Sequence, residues 1–485
     1  MIIKSDKDII KSYLEDSSNL LGGYADKVII PENIGELVSC IKEANSKKIP
    51  VTISGGGTAT TGSRIPFGGI VVSMEKFNKI LKISEETMSA TVEAGVLVED
   101  LKGAVEKRGL FYTSHPTERM AEVGGTVSTN ASGSRSFRYG PTRRYIKRLK
   151  MVLADGDMLE VRRGQTFITK AAPKIKLSSG REISIPIPDY RIPNVKSSSG
   201  YFAKDGMDLI DLFIGQEGTL SVIVEVEMGL VKKPSSILSC FVFFRSEEDS
   251  WGFADELKRT PGLNVLSVEY FDHSAVGFLA AKNKNVPEGA AAAIFFEQDS
   301  SGKDGDDLVG VWVDMISRHN ASIDTTWVAM NEKDAELFTQ SRYTIPESVN
   351  DIVRQRKYRK FSTDIAVPYD KFNEMLHFYI ETFKKEDLQT VMFGHIGENH
   401  LHVNILPRSD EEEVKAKELS LLFIRKSVAL GGTVSAEHGI GKLKHAYLEE
   451  LYGKKGILEM IKIKKAFDPN CILGVGNVFP KEILI

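Results

Sequence analysis

Cysteine is scarce in this 485-residue sequence, with three residues that lie far apart at Cys40, Cys240 and Cys471. They form neither a CxxC pair nor the spacing of an iron–sulfur cluster, so we expect no cluster on these side chains. Because sparse, unpaired cysteine is typical of a reducing compartment, we expect a cytoplasmic protein.

Long apolar runs are also missing from the sequence. No stretch approaches the roughly 18 apolar residues that span a membrane, and the N-terminal residues MIIKSDK contain no apolar signal core. The sequence leaves peripheral contact with the inner face of a membrane open, and it leaves a homodimer open as well.

Neither sign of charge dominates. The net charge of -3 gives no electrostatic reason to expect a nucleic acid partner. The hydrophobic content of 42% and the charged content of 27% are those of an ordinary soluble protein. A chain of this length usually folds into two or three domains.

Composition and patterning divide the chain at two places. Pro234-Ser235-Ser236 marks a boundary, and a motif-rich segment begins at Gly431, so we predict parts at 1–232, 233–430 and 431–485. The first part begins with alternating strands and helices, and Asn33 is placed to cap one of these helices. The middle part alternates strands with amphipathic helices.

Two glycine-rich stretches lie in the first part. The first contains Gly55-Gly56-Gly57-Thr58, and the second contains Gly124-Gly125 followed by hydroxyl and amide side chains. Such loops can point backbone N–H groups at an anion, although a tight surface turn has the same composition. Neither loop is a Walker A or a Rossmann motif. Together they favour a dinucleotide that is held without either motif.

Five of the nine histidines fall between residues 395 and 445. Alternating apolar residues predict a β-hairpin that places His395 near one end and His402 on the facing strand. Glu437 and His438 follow downstream. Two histidines and a carboxylate make a plausible metal site with an open position, whereas a lone strand histidine is more often a hydrogen-bonded structural residue.

These motifs together resemble the FAD-binding oxidoreductases of the vanillyl-alcohol oxidase type, in the D-lactate dehydrogenase and glycolate oxidase catalytic-subunit branch. The resemblance spans residues 25 to 480, including the run 213–223. It implies an α+β fold with a two-part, non-Rossmann FAD-binding domain at 1–232. An antiparallel-sheet substrate domain would follow at 233–430, and the segment 431–485 would return to the flavin.

The resemblance also implies which residues contact a non-covalently bound FAD. They are Ser54, Gly55, Gly56, Gly57, Thr58, Gly62, Ser63, Pro116, Gly124, Gly125, Ser128, Asn130, Gly133, Glu217, Gly218, Val222 and Asn477.

In such relatives a divalent ion, the substrate and a base meet at one place. The implied metal ligands are His395, His402 and Glu437, which suit zinc, manganese or iron. His438 would be the catalytic base. The implied substrate-binding residues are Arg342, His400 and Asn404, and His400 is open as a third histidine ligand instead.

The implied reaction is oxidation of a small D-2-hydroxy acid to the 2-oxo acid. The sequence has no NAD fingerprint, so electrons would leave to an external quinone, cytochrome, electron-transfer flavoprotein or iron–sulfur subunit. Three alternatives remain open: a flavoenzyme like alkyl-glycerone-phosphate synthase, a flavin subunit that only relays electrons, and a metal-dependent hydrolase.

Overall fold

The computed structural model describes residues 1–114, 118–260, 262–302 and 305–484. Its first sheet contains, in spatial order, the strands Ile2–Lys4, Lys27–Ile30, Ile70–Ser73 and Val51–Ser54. The last three run parallel to one another, which requires crossover connections, and the helix Ile34–Ser46 is one of them. As predicted, Asn33 caps this helix, since its side chain accepts the Glu36 N–H at 3.0 Å.

The second sheet is antiparallel. In spatial order its strands are Ile80–Ser84, Ser89–Glu93, Ser221–Gly229, Ile146–Leu153 and Met158–Arg162. The short helix Val123–Thr129, which carries the second glycine-rich stretch, packs against the strand Ser221–Gly229.

Shorter elements complete the first half of the chain. The helices are Lys7–Ile10, Val98–Glu106, Ser136–Tyr139 and Leu209–Leu212, and the strands are Leu110–Phe111, Phe167–Ile168, Lys174–Lys176, Glu182–Ser184, Met207–Asp208 and Val231–Lys232.

The third sheet is also antiparallel and belongs to the middle of the chain. In spatial order its strands are Trp327–Val328, Ile237–Phe244, Ala292–Asp299, Val265–Phe271, Thr390–Gly394, His400–Ile405 and Phe361–Ser362, with Ile365–Ala366 also on His400–Ile405. The predicted hairpin is therefore present, and its register pairs Phe393 with His402. The α+β class expected from the sequence is confirmed, whereas the domain boundaries at 232 and 430 stay predictions.

The helices of this part of the chain are Glu247–Arg259, His273–Lys282, Gly305–Arg318, Glu332–Arg356, Phe372–Phe383 and Asp410–Ala429. The last long helix, His445–Phe467, packs on Asp410–Ala429 and on the strand Glu182–Ser184, and so leads the chain back to the first half. Within the described residues, none of the helices has both the length and the apolar character of a membrane span.

The C-terminal segment is tied to the first half by backbone and buried charge. Val51 donates its N–H to Ile472 O at 2.7 Å and accepts the Gly474 N–H at 2.9 Å. The buried Lys464 ammonium donates to Asp468 Oδ2 at 2.5 Å, Thr219 O at 2.5 Å and Leu473 O at 2.8 Å. Because a buried ammonium must find partners within the protein, these bonds tie residues 464–473 to Thr219 in the first half of the chain.

Lys464→Met should destabilise the protein by about 3–5 kcal/mol, because it leaves the Asp468 carboxylate buried without its counter-charge. The measurement is the shift in thermal unfolding temperature. The control is Lys47→Met, which breaks an exposed ion pair with Glu43 and should leave the unfolding temperature nearly unchanged. Equal shifts for the two variants would contradict a structural role for Lys464.

Candidate active site

A cavity of about 470 Å³ lies between the glycine-rich stretches and the hairpin of the third sheet. From the glycine-rich side it is lined by Gly55, Gly56, Gly57, Thr58, Ser63, Gly124, Gly125, Ser128, Gly133, Glu217 and Gly218. From the opposite side it is lined by Arg342, His395, His402, Asn404, Glu437 and His438. The structure thus brings most of the residues singled out in the sequence to one space.

The first glycine loop lies directly against the backbone before the second. A Cβ atom on Gly56 would lie 1.9 Å from Met120 O, a distance that no side chain tolerates. Only glycine therefore allows the two loops to approach this closely and to face the cavity together.

Val222, which was expected to contact FAD, does not line the cavity. It lies in the strand Ser221–Gly229, and Ser221 and Ile223 line the cavity instead. Successive side chains of a strand point to opposite faces, so Val222 is directed into the core, where it is fully buried.

Four other residues predicted to contact FAD do not line the cavity, namely Ser54, Gly62, Asn130 and Asn477. The Ser54 hydroxyl accepts from Arg64 Nε at 2.7 Å. Gly62 O lies 3.4 Å from Lys442 Nζ. Asn130 ends the helix Val123–Thr129 in a left-handed conformation and accepts the Arg143 N–H at 3.0 Å.

Asn477 joins the C-terminal segment to the first glycine-rich stretch and to the run 213–223. Its Nδ2 donates to Ser63 O and to Glu217 O, at 2.9 Å each. The Glu217 carboxylate in turn accepts the N–H groups of Ile440 and Gly441 at 2.7 Å. The predicted contact Pro116, and His115 before it, lie outside the described residues.

Three imidazoles converge on one carboxylate oxygen. Glu437 Oε1 lies 3.3 Å from His395 Nε2, 3.2 Å from His402 Nε2 and 3.7 Å from His438 Nε2. Neighbouring ligand atoms of a tetrahedral site with bonds near 2.0 Å are about 3.3 Å apart. The distances from Glu437 to His395 and to His402 therefore match those between ligands of one divalent ion.

The other nitrogen of each imidazole has an oxygen neighbour. His395 Nδ1 lies 2.7 Å from Glu269 Oε1, and His402 Nδ1 lies 3.4 Å from Thr363 O. His438 Nδ1 lies 3.3 Å from Asp364 Oδ2. Oxygen acceptors of this kind fix the ring orientation of metal-ligating histidines and leave the opposite nitrogen free for the ion or a proton.

The second oxygen of Glu437 is held from the other side. It accepts from Ser132 Oγ at 3.1 Å and pairs with Lys196 Nζ at 2.8 Å. Lys196 is buried and also pairs with Glu398 at 2.9 Å. These contacts direct Oε1 toward the histidines, because both of the donors approach the other oxygen.

Burial and neighbouring charge set the protonation states at the site. Burial lowers the pKa of His438 to about 4, against the opposite effect of Asp364, so its imidazole is neutral near pH 7. Burial also acts to lower the pKa of His395, but Glu269 and Glu437 raise it to about 10. His395 must therefore lose a proton before it can ligate a metal.

His400 is placed differently from the expectation. Its ring is fully buried, does not line the cavity, and has Nε2 3.0 Å from Asp364 Oδ1. The strand directs it to the same face as His402, but it lies deeper and does not border the cavity. Its donor atom lies within 4.8 Å of those of His395, His402 and Glu437, so it belongs to the potential ligand group.

Arg342 and Asn404 border the cavity as expected. Within the described part of the chain, the Arg342 guanidinium has no hydrogen bond or ion pair within contact distance, although its charge acts with His395 to hold the pKa of Glu269 at about 2 against burial. Asn404 Nδ2 donates to Val391 O and His402 O, at 3.3 Å each. A guanidinium that has no hydrogen-bond acceptor among the described residues and lies at a cavity wall suits an anionic ligand.

Asp364 and Lys196 were not found from the sequence, although both shape the site. The buried Asp364 carboxylate accepts the His438 N–H at 3.0 Å, Ser435 Oγ at 2.7 Å and Lys444 Nζ at 2.9 Å. These partners lie 71 to 80 positions away along the chain, and no local pattern signals such a contact.

Comparison with known proteins places the chain in a family. A model described as FAD linked oxidases, C-terminal domain, matches residues 233–478, and one described as FAD binding domain matches residues 25–162. The chain is 30% identical to a D-lactate dehydrogenase of Archaeoglobus fulgidus, over 94% of this chain and 91% of the relative. It is 28% identical to the glycolate oxidase subunit GlcD of Bacillus subtilis, over 97% and 92%.

The fold is shared with more distant enzymes. The 4-ethylphenol oxidase from Gulosibacter chungangensis superposes with a TM-score of 0.70 at 15% identity, over 99% of this chain and 95% of that one. The C-terminal domain model covers half of the chain, and the FAD-binding model covers the part that carries the glycine-rich loops. The protein therefore belongs to the FAD-linked oxidase family and carries an FAD-binding domain at residues 25–162.

Proposed function

We propose that this protein is an FAD-dependent dehydrogenase that oxidises a small D-2-hydroxy acid to the 2-oxo acid, with the help of a divalent ion. The observation that carries the proposal is the shared cavity. It joins the flavin loops to an unpaired arginine and to an imidazole–carboxylate cluster. The names of the two relatives, D-lactate dehydrogenase and glycolate oxidase subunit, agree with it because lactate and glycolate are both 2-hydroxy acids.

Arg342 binds the substrate carboxylate in this proposal. The guanidinium offers a planar pair of N–H donors that matches the two oxygens of a carboxylate. It lines the cavity, as the histidine cluster does, so a small acid held there presents its C2 hydroxyl to the cluster.

His438 accepts the hydroxyl proton. Its Nδ1 faces Asp364, and its Nε2 faces the cluster at 3.7 Å from Glu437 Oε1. Because this imidazole is neutral near pH 7, it has a lone pair with which to accept a proton. Asp364 stabilises the imidazolium that results, and it holds the ring in position.

Two groups supply the chemistry that side chains lack. Bound FAD supplies an acceptor for the two electrons that leave C2 as a hydride. A divalent ion held by His395, His402 and Glu437 supplies positive charge next to the developing alkoxide. We infer that zinc, manganese or iron occupies this site, and that an external quinone, cytochrome, electron-transfer flavoprotein or iron–sulfur subunit reoxidises the flavin.

The proposal is tested by anaerobic flavin bleaching with a panel of D- and L-2-hydroxy acids. We expect at least one D-acid to bleach the flavin absorbance and its L-enantiomer not to. His438→Ala should retain FAD but lose at least 100-fold in bleaching rate, because it removes the proton acceptor. If no acid of the panel bleaches the flavin, the proposal is wrong, and unchanged bleaching in His438→Ala would remove this histidine from the mechanism.

Arg342→Met should raise the half-saturating substrate concentration about 10- to 100-fold, because a charge-assisted bond contributes about 1.5–3 kcal/mol. The limiting bleaching rate should change less. The matched control is Arg354→Met on the same helix, whose exposed side chain pairs with Asp351. If both variants behave like the parent protein, Arg342 does not bind the substrate.

Removal of the metal should remove activity but leave the flavin. We expect dialysis against a strong chelator to deplete one divalent ion per chain, and bleaching by the D-acid to fall with it. Bleaching should return when zinc, manganese or iron is added back. Elemental analysis and absorbance follow the metal and the flavin, and full activity in metal-free protein would contradict a metal role.

A further inference from the structure

The charges on the flavin side of the cavity are unbalanced. Among the described residues of the glycine-rich half, Arg64 is the one basic side chain that lines the cavity. Three acidic residues, Glu118, Glu122 and Glu217, line the cavity from the same half. The Glu217 carboxylate is already occupied by two backbone N–H groups, and Glu118 is exposed. The FAD pyrophosphate adds two negative charges, so a cation beside it would strongly stabilise the bound cofactor.

Arg64 is held against the first glycine loop. A Cβ atom on Gly57 would lie 2.1 Å from Arg64 Nη1, and the Gly57 φ of +77° is one that side chains rarely adopt. The guanidinium therefore lies directly on the loop backbone. Ser17, which also lines the cavity, donates its N–H to Gly57 O at 3.1 Å and closes the loop from the N-terminal side.

The guanidinium still has donors to offer. Nε donates to Ser54 Oγ at 2.7 Å and Nη1 donates to Glu15 O at 3.0 Å, while the guanidinium carbon lies 5.7 Å from the centre of the Tyr13 ring. These contacts use two of its five N–H groups. In the described part of the chain no acceptor binds the other three, which therefore remain for a ligand.

Glu122 faces the same loop with the opposite charge. Its Oε2 lies 3.1 Å from the position that a Cβ on Gly55 would occupy, and the side chain lines the cavity. Burial raises the pKa of this carboxyl to about 7, against the opposite effect of Arg64. At pH 8 most of the carboxyl is thus ionised, next to the loop expected to hold phosphate.

We propose that Arg64 binds the FAD pyrophosphate directly and that Glu122 opposes it, so that this pair of side chains sets how tightly the protein retains its flavin. Arg64 adds charge-assisted hydrogen bonds to those of the loop N–H groups. Glu122 repels the phosphates and weakens that binding. The two side chains act on the cofactor alone, so the proposal is independent of which substrate the enzyme oxidises.

The experiment measures FAD affinity of the apoprotein at pH 8 by quenching of flavin fluorescence. Arg64→Met should weaken FAD binding about 10- to 100-fold, the loss expected for a charge-assisted hydrogen bond. Arg64→Lys should fall between Arg64→Met and the parent, because it keeps the charge but loses the fork. Glu122→Gln should tighten FAD binding several-fold.

Opposite signs make the result unambiguous, because misfolding cannot tighten binding. The control is Arg138→Met, which removes the same charge from an exposed side chain outside the cavity. Circular dichroism of each apoprotein confirms that it is folded. FAD affinity within twofold of the parent in folded Arg64→Met, or weaker binding in Glu122→Gln, would overturn the proposal. If Arg64→Met does not fold, the direction of change in Glu122→Gln decides alone.

Discussion

The Glu437 side chain is only 10% exposed, and its charge needs partners that no single part of the chain can provide. Ser132 and Lys196 take one oxygen, whereas His395 and His402 face the other. An unpaired carboxylate in this position would be strongly unfavourable, so the segments that carry these partners must all assemble around it. The cavity, the orientation of the histidines and the open side of the cluster follow from that requirement.

The same principle fixes the segment that carries Glu437. Asp364 binds the backbone on one side of His438, and Glu217 binds the backbone at Ile440 and Gly441 on the other. One carboxylate comes from the sheet that bears the hairpin and the other from a flavin motif. The imidazole of His438 is therefore positioned relative to both the substrate side and the flavin side of the cavity.

Local patterns predicted the elements well. The alternation of apolar residues around His402 predicted the hairpin, and Asn33 predicted the start of a helix. The glycine runs predicted loops, which line one cavity. Contacts between distant segments were out of reach, because Asp364 and Lys196 lie in stretches with no distinctive spacing. His400 shows a related limit. The alternation of side chains along a strand assigns a residue to one face of the sheet, but it does not say how deeply that residue is buried beneath its neighbours. Val222 shows a limit of the family motif. The motif indicates a residue near the cofactor, but it does not say whether that residue or its neighbours in the strand reach the cavity.

The bonds from Lys442 to Gly62 and from Gly474 to Val51 have a temporal consequence. Lys442 follows Gly62 by 380 positions. At 5–20 residues per second, the ribosome therefore adds Lys442 roughly 20–80 s after Gly62. Until then the first glycine loop lacks its contact with Lys442, and His438 has been synthesised only shortly before. Cofactor capture in its final form thus comes at the end of synthesis, and a nascent chain released early would lack the closing segment altogether.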